Sequence, residues 1–171
     1  MARGFYVGRF QPVHEGHESV LREIATEHDE LVVGIGSADK SHSLDNPFTA
    51  GERHVMLSRT RADVDVDASI VPLVDVDRNA LWTSHVHSLC PPFDVVYSNN
   101  PLVQRLFAED DVEVRDLPMF NRQEYEGTAI RQRMISEDPW EHLVPNPVVE
   151  TLVEIDGPER LRQVAADDDG Q

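Results

Sequence analysis

The sequence predicts a doubly wound α/β protein, a parallel sheet flanked by helices in a single domain. Three observations carry that prediction. Short apolar runs alternate at least four times with stretches whose apolar residues fall at helical spacing, and no internal repeat is present. The run Leu31-Val32-Val33-Gly34-Ile35-Gly36 is apolar at successive positions, as parallel strands covered on both faces are. The first run, Phe5-Tyr6-Val7, passes through Gly8 directly into an amphipathic pattern, which reads as strand, glycine turn and first helical turn. With 171 residues, 40% of them apolar, the chain is long enough for one sizeable core.

In chain order, Phe5-Tyr6-Val7 is the first strand, and Val20, Leu21, Ile24 and Ala25 mark the helix behind it. Leu31 to Gly36 is the second strand, and a polar loop from Ser37 to Phe48 follows. Thr49 and Glu52 stand in capping-box positions for a helix through Val55, Met56 and Arg59. Ser69 to Val74 is a third strand, irregular or late because Pro72 lacks an N–H. Leu81, Trp82, His85, Val86 and Leu89 describe a third helix, ended by Pro91-Pro92. Asp94 to Ser98 is strand four, and Asn100-Pro101 gives an N-cap and a first-turn proline to a helix carrying Leu102, Val103, Leu106 and Phe107. Val112 to Arg115 is short and half polar, which suits an edge strand. A longer connection, Leu117 to Glu126, ends at Gly127-Thr128, where a helix with Ile130, Met134 and Ile135 starts. Asn146-Pro147 caps a further helix stopped by Gly157-Pro158, and Glu159 to Ala166 is a last short one. The domain is expected over 1–166, with C-terminal helices from about residue 147 and a low-order acidic tail at 167–171.

Ligands of such sheets bind at the carboxyl ends of the strands. The residues that follow the strands are Arg9, His14 and His17; Gly36-Ser37; Asp75 to Asn79 with Trp82; Ser98 to Pro101; and Phe120-Asn121-Arg122 with Gly127 to Arg131. Histidines, arginines, hydroxyls, helix N-termini and exposed aromatics together suit nucleotides and phosphates. His14 and His17 share one face of the first helical turn, with Gly16 between them and Arg9 on the approach. In isolation such a pair reads as surface or metal-binding. Behind a strand and beside an arginine it reads as a phosphate site, where Gly16 lets the backbone lie close and both imidazoles can donate to oxygens that gain charge. Thr128 and Arg131 alone read as an ordinary N-cap with a surface arginine. Trp82 fits either the core or an exposed flat face, and Arg53 fits either a phosphate contact or a partner for an acid.

The string His14-Glu15-Gly16-His17 after a first strand, with Thr128-Ala129-Ile130-Arg131 near the far end, resembles the paired signatures of the nucleotidyltransferase superfamily. The strings Gly8 to Pro12, Gly36-Ser37-Ala38, Asn46 to Arg53, Asn79 to Trp82, Pro91 to Asp94, Asn100 to Val103 and Met119 to Arg122 narrow the likeness. From about Arg3 to Gly157-Pro158 the chain resembles the archaeal-type nicotinamide-nucleotide adenylyltransferases. That resemblance implies a Rossmann-like sheet of five or six strands and transfer of AMP from ATP to nicotinamide mononucleotide, giving NAD and pyrophosphate. It implies His14, His17, Arg9 and Arg131 as the catalytic set and ATP along Gly8, Arg9, His14, His17, Asn100, Thr128 and Arg131. The nicotinamide nucleotide would lie against Asn79, Trp82 and Phe120, and Mg²⁺ would be held mainly through the ATP phosphates, with no protein ligand assigned. A homo-oligomer is implied as well.

Two positions depart from the family pattern: Leu44-Asp45 stands where a basic residue is common, and Asn99 where a glycine is common before Asn100-Pro101, asparagine being tolerant of positive φ. The competing readings are an adenylyltransferase preferring nicotinate mononucleotide or another phosphorylated acceptor, and a nucleotide-binding regulator without turnover. Composition narrows the partners. Thirty-two Asp and Glu against 15 Lys and Arg leave a net charge of −17, which disfavours nucleic acid. Aspartate-rich stretches with Lys40 as the sole lysine suggest salt adaptation. Cys90, the only cysteine, reads as a buried or incidental thiol. The early first strand leaves no room for a signal peptide and no apolar run approaches a membrane span, so a cytoplasmic location is expected.

Overall fold

The computed structural model describes residues 2–117 and 123–169, with side chains throughout except at 123–126 and 169. The elements are β1 (Arg3–Gly8), α1 (Glu15–Ala25), β2 (Glu30–Ile35), α2 (Ala50–Asp63), β3 (Ala68–Pro72), a 3₁₀ turn at Asn79–Leu81, α3 (Trp82–Leu89), β4 (Val95–Tyr97), α4 (Pro101–Glu109), β5 (Glu113–Arg115), α5 (Gln123–Ser136), a 3₁₀ turn at Glu141–Leu143, α6 (Asn146–Glu154) and α7 (Gly157–Asp169). The strands form one sheet in the order β3-β2-β1-β4-β5, with every neighbouring pair parallel. The chain winds outward from β1 through β2 to β3, then returns to lay β4 against the other side of β1. That reversal opens a crevice at the carboxyl ends of β1 and β4, where doubly wound sheets take their ligands.

Alternate strand residues feed two cores. Phe5, Val32 and Val96 face Val86, Phe93 and Phe107 on the α3–α4 side, with Phe5 stacked on Phe93 at 4.6 Å. Tyr6, Val33 and Tyr97 face the other way, onto Val20, Ile24, Met56, Ile130, Leu152 and Leu161 from α1, α2, α5, α6 and α7. Both faces of β1 are therefore packed, and its end is held rigidly at the crevice.

The capping box that starts α2 is formed in both directions, Glu52 N–H to Thr49 Oγ1 at 3.1 Å and Thr49 N–H to Glu52 Oε1 at 2.8 Å. Asn100 caps α4, its Oδ1 accepting from the N–H groups of Leu102 and Val103. Pro72 closes β3, and the next residue, Leu73, carries the ladder bond to the Ile35 carbonyl. Four elements differ from the sequence expectation. Leu81 belongs to a 3₁₀ turn ahead of α3 and is 48% exposed rather than core. Helix α5 starts at Gln123, so Thr128 lies in its second turn and not at an N-cap. Pro145 is the N-cap of α6 and Asn146 its first residue, so Pro147 supplies the rigid first turn without an asparagine cap. Asp167, Asp168 and Asp169 continue α7 instead of starting a low-order tail, because a helix already anchored by buried Leu161 extends at little cost. Among the described residues no helix is long and apolar enough to cross a membrane.

Candidate active site

The site begins where β1 stops. Gly8 is tied to the end of β2 by a bond from the Gly36 N–H to its carbonyl at 2.8 Å. Phe10 then turns the chain with φ 56°, a left-handed conformation unusual for a bulky residue, held by complete burial of its ring. The chain, still buried, then reaches His14, the N-cap of α1. His14 Nδ1 accepts from the Gly16 N–H at 3.1 Å, and His17 Nδ1 accepts from the His14 N–H at 3.0 Å. The histidines thus form a capping box between themselves, in the pattern usually made by Ser or Thr with Glu. Their rings stack at 3.7 Å, and the Phe10 ring meets His17 edge-on at 4.6 Å.

This bonding decides which proton each ring carries. A nitrogen that accepts from an amide is unprotonated, so the neutral ring keeps its hydrogen on Nε2. Burial, and after it the neighbouring His14, hold the His17 pKa well below its ordinary 6.5. His17 is therefore a neutral donor at neutral pH, with Nε2–H fixed in direction by the cap.

Arginines gather around this corner. Arg9 is exposed and its Nη1 reaches Asn46 Oδ1 at 3.4 Å. Arg131 is only 6% exposed; Nη1 donates to the Gln11 carbonyl at 2.8 Å and Nη2 to Thr128 Oγ1 at 3.1 Å. Burial and the charge on Arg9 depress the Arg131 pKa, and Asp45 partly opposes the shift. Asp45, at the departure from the family pattern, thus places a carboxylate within electrostatic reach of Arg131. Arg53, for which the sequence offered a phosphate or an acid as partner, bonds to no acid among the described residues. It is fully buried and donates only to main-chain carbonyls.

Across the crevice, Asn100 Oδ1 is committed to capping α4, and its N–H is held by Ser98 Oγ at 3.0 Å. Asn99 does not adopt positive φ; its amide instead brackets Leu117, accepting from the Leu117 N–H at 2.8 Å. On the acceptor side, Asn79 is exposed and opens the 3₁₀ turn before α3. Trp82 is half-buried, with its ring edge-on to Phe107 at 5.5 Å, so one side packs on the core while the remainder stays accessible. Phe120, with Met119, Asn121 and Arg122, lies outside the described residues. Arg9, His14, His17 and Arg131 therefore share the corner at the end of β1, Asn100 follows the neighbouring strand β4, and Asn79 and Trp82 lie beyond β3 on the α3–α4 side.

One participant was not read from sequence. Gln11 is 3% exposed, and its side-chain amide exchanges two bonds with Phe48, Nε2 to the carbonyl at 3.0 Å and Oε1 from the N–H at 2.9 Å. It pins the 37–48 loop to the turn that carries the histidines. The signal available was a polar residue inside an otherwise recognisable motif, without any indication of its distant partner.

Residues 5–133 match the cytidylyltransferase-like family. The chain is 56% identical over 168 residues to the nicotinamide-nucleotide adenylyltransferase of Methanoculleus marisnigri, covering 98% of this chain and 100% of that one. The chain belongs to the nicotinamide-nucleotide adenylyltransferase family. Other family members are similarly close: the Halobacterium salinarum protein is 56% identical, covering 98% of this chain and 95% of its own, and that of Thermoplasma acidophilum is 54% identical, covering 98% and 94%. Salt-loving organisms thus account for only some of these adenylyltransferases. Among solved structures, a bifunctional NMN adenylyltransferase/ADP ribose pyrophosphatase from Francisella tularensis, complexed with AMP and a manganese ion, superposes with a TM-score of 0.78 at 18% identity. It covers 98% of this chain, which spans about half (53%) of that longer protein, and the likeness is one of fold.

Proposed function

We propose that this chain transfers the AMP moiety of ATP to nicotinamide mononucleotide, forming NAD and releasing pyrophosphate. The observation that carries the proposal is the histidine capping box at the end of β1, with two Nε2-protonated imidazoles beside Arg9 and Arg131, in a chain 56% identical over 98% of its length to adenylyltransferases of that name. A 5′-phosphate oxygen of the acceptor attacks the α-phosphorus of ATP. The new P–O bond forms as the bond from the α-phosphorus to the bridging oxygen breaks, and pyrophosphate leaves with that electron pair. The nucleophile is already an anion, so the step needs no proton abstraction and no covalent enzyme intermediate. What remains for the protein is placement and charge stabilisation.

In this reading His17 and His14 donate Nε2–H bonds to phosphate oxygens, and Arg9 and Arg131 neutralise charge on the triphosphate. Gly8 brings the main chain close, with Asn100 and Thr128 on the flanks of the nucleotide. Trp82 offers a flat face to the nicotinamide ring, with Asn79 and Phe120 beside it. Mg²⁺ accompanies ATP. Among the described residues no group of three His, Cys, Asp or Glu side chains is placed to hold a metal. The donors at the corner are N–H groups and cations, a set that fits an ion carried by phosphate oxygens and water. Bound there it supplies charge neutralisation and eases departure of pyrophosphate. The reading also has the chain acting in the cytoplasm as a homo-oligomer, with nucleic acid disfavoured by the −17 net charge.

The test is incubation of the purified protein with ATP, Mg²⁺ and either nicotinamide or nicotinate mononucleotide, with products separated chromatographically. Runs at low and molar KCl address the acidic composition, salt adaptation being supported by higher turnover at molar KCl. NAD and pyrophosphate in equal amounts are expected, and their absence with the amide substrate rejects the assignment. Trp82→Ala should raise the KM for the mononucleotide by about tenfold, equivalent to loss of one stacking contact. An effect confined to ATP would move Trp82 to the other substrate.

A further inference from the structure

Arg53 heads the fully buried side chains by size among the described residues, at 0% exposure. A guanidinium carries five N–H donors. All five are used: Nε to the Thr49 carbonyl at 3.2 Å, Nη1 to Arg9 at 2.8 Å and Gly36 at 2.9 Å, and Nη2 to Ser37 at 3.2 Å and Lys40 at 3.3 Å. A buried cation ordinarily keeps a bonded acid partner. Here the negative ends of five peptide dipoles take that part, while Asp39 and Glu52 act only from a distance.

The five carbonyls belong to three separate segments: the turn after β1, the start of the 37–48 loop, and the cap of α2. Two of the segments are conformationally demanding. Ser37 has φ 48°, and Phe10, next to the held Arg9 carbonyl, has φ 56°. Such turns persist where surrounding bonds over-determine them, and Arg53 grips both. The Arg9 carbonyl is drawn inward to Arg53, while the Arg9 side chain lies exposed and reaches Asn46. The two charges are near enough that Arg9 adds to the effect of burial in bringing the Arg53 pKa down to about 10.

We propose that Arg53 is a positioning residue for the ATP-phosphate site: by gathering five carbonyls from the β1 turn, the 37–48 loop and the α2 cap, it fixes the backbone from which Arg9 reaches the triphosphate, and it touches no substrate itself. With every donor occupied, a direct phosphate contact would dismantle the frame. The inference rests on the adenylyltransferase reading above and extends it to a residue outside the substrate's reach.

Arg53→Lys keeps the charge but offers three donors at one point in place of a planar fork. The expected result is a KM for ATP raised about tenfold and a mononucleotide KM within about twofold of wild type. In an Arg9→Ala background the same change should raise the ATP KM less than about twofold, since contacts sharing one function are not additive. Equal tenfold effects in both backgrounds, or on both substrates, would overturn the proposal in favour of a general packing role. A measurement on the unaltered protein does not depend on the variant folding. In nitrogen-15 spectra of the arginine side chains, ATP should shift the Nε–H of Arg9 and leave that of Arg53 in place and slow to exchange. An Arg53 signal that moves as far as that of Arg9 marks a direct ligand and sinks the inference. Wild-type protein that binds ATP but makes no NAD rejects the proposed reaction, and these spectra still report on Arg53.

Discussion

The corner that holds the two histidines and the frame that holds the corner are built on different length scales. The bonds that fix the imidazoles join residues two and three apart, Gly16 to His14 and His14 to His17. The bonds that fix the frame join Gln11 to Phe48 across 37 positions, Arg53 to Arg9 across 44, and Arg131 to Gln11 across 120. A short-range bond forms with its helix and closes almost no loop. A long-range one exists only after the sheet has brought its ends together. The corner supplies the donors that chemistry needs, and the frame supplies their separation and direction. Chemistry and placement should therefore fail separately, one in kcat and the other in KM.

The largest expected effect lies in the corner. His17→Ala removes an Nε2–H donor together with the acceptor for the His14 N–H. Turnover should fall by at least about a hundredfold, the scale for loss of one transition-state hydrogen-bond donor. The lost cap costs only about 1 kcal/mol of stability. His14→Asn separates the two roles, because asparagine still caps a helix but offers no imidazole. Its melting temperature should stay near wild type while kcat drops. The ring of His17 should titrate well below 6.5 when followed by NMR, because burial and His14 both oppose its protonation. The neutral donor form then persists through neutral pH, and a near-wild-type rate in His17→Ala would detach the corner from the chemistry.

The same difference in length scale explains what could be read before the fold was known. The alternation of strands and helices, the Thr49 capping box and the Asn100 cap are local patterns, and each stands where the sequence places it. The residues of the corner were legible too, as a histidine pair behind a strand. Their mutual capping was not, since histidine seldom fills that part. Thr128 was misplaced because α5 begins five residues earlier than the Gly127-Thr128 signal suggests. Arg53 and Gln11 were present in the recognised strings, but their roles lie in partners 13 to 44 residues away that no spacing rule supplies: Arg9, Gly36, Ser37, Lys40 and Phe48, with only Thr49 close by, at four residues.

A smaller effect is expected in the frame. Gln11→Leu keeps approximate volume and strands the buried N–H and carbonyl of Phe48, costing about 2–3 kcal/mol by the usual penalty for unpaired buried groups. Urea unfolding should report that loss. Kinetics should show the ATP KM raised several-fold with kcat changed far less, as expected when placement suffers and donors survive. A fall in kcat comparable to that of His17→Ala would mean that corner and frame are one unit.

The smallest effect tests how far the frame extends. Arg160 of α7 grips Glu52 through two bonds of 2.6 and 2.7 Å and also reaches the Pro47 carbonyl, next to the Asn46 that meets Arg9. Partial burial pushes the Glu52 carboxyl up, but Arg160 and the Thr49 N–H outweigh it and hold the group below its ordinary 4.5. A carboxylate with a depressed folded-state pKa contributes stability that is complete above its ordinary value and is lost as pH falls through the depressed one. Glu52→Gln should therefore be less stable than wild type at pH 7 by about 1 kcal/mol, the upper end for a partly solvated ion pair. The gap should close below pH 4.5, where the wild-type carboxyl takes up its proton. Melting curves of both proteins between pH 3 and 7 read this directly. If the ATP KM of Glu52→Gln stays within about twofold of wild type, the frame ends at Gln11 and Arg53, and α7 only supports it. A rise matching that of Gln11→Leu would place the last helix inside the machinery that aims Arg9, because the bonds from Arg160 to Pro47 and from Asn46 to Arg9 then act as one linkage.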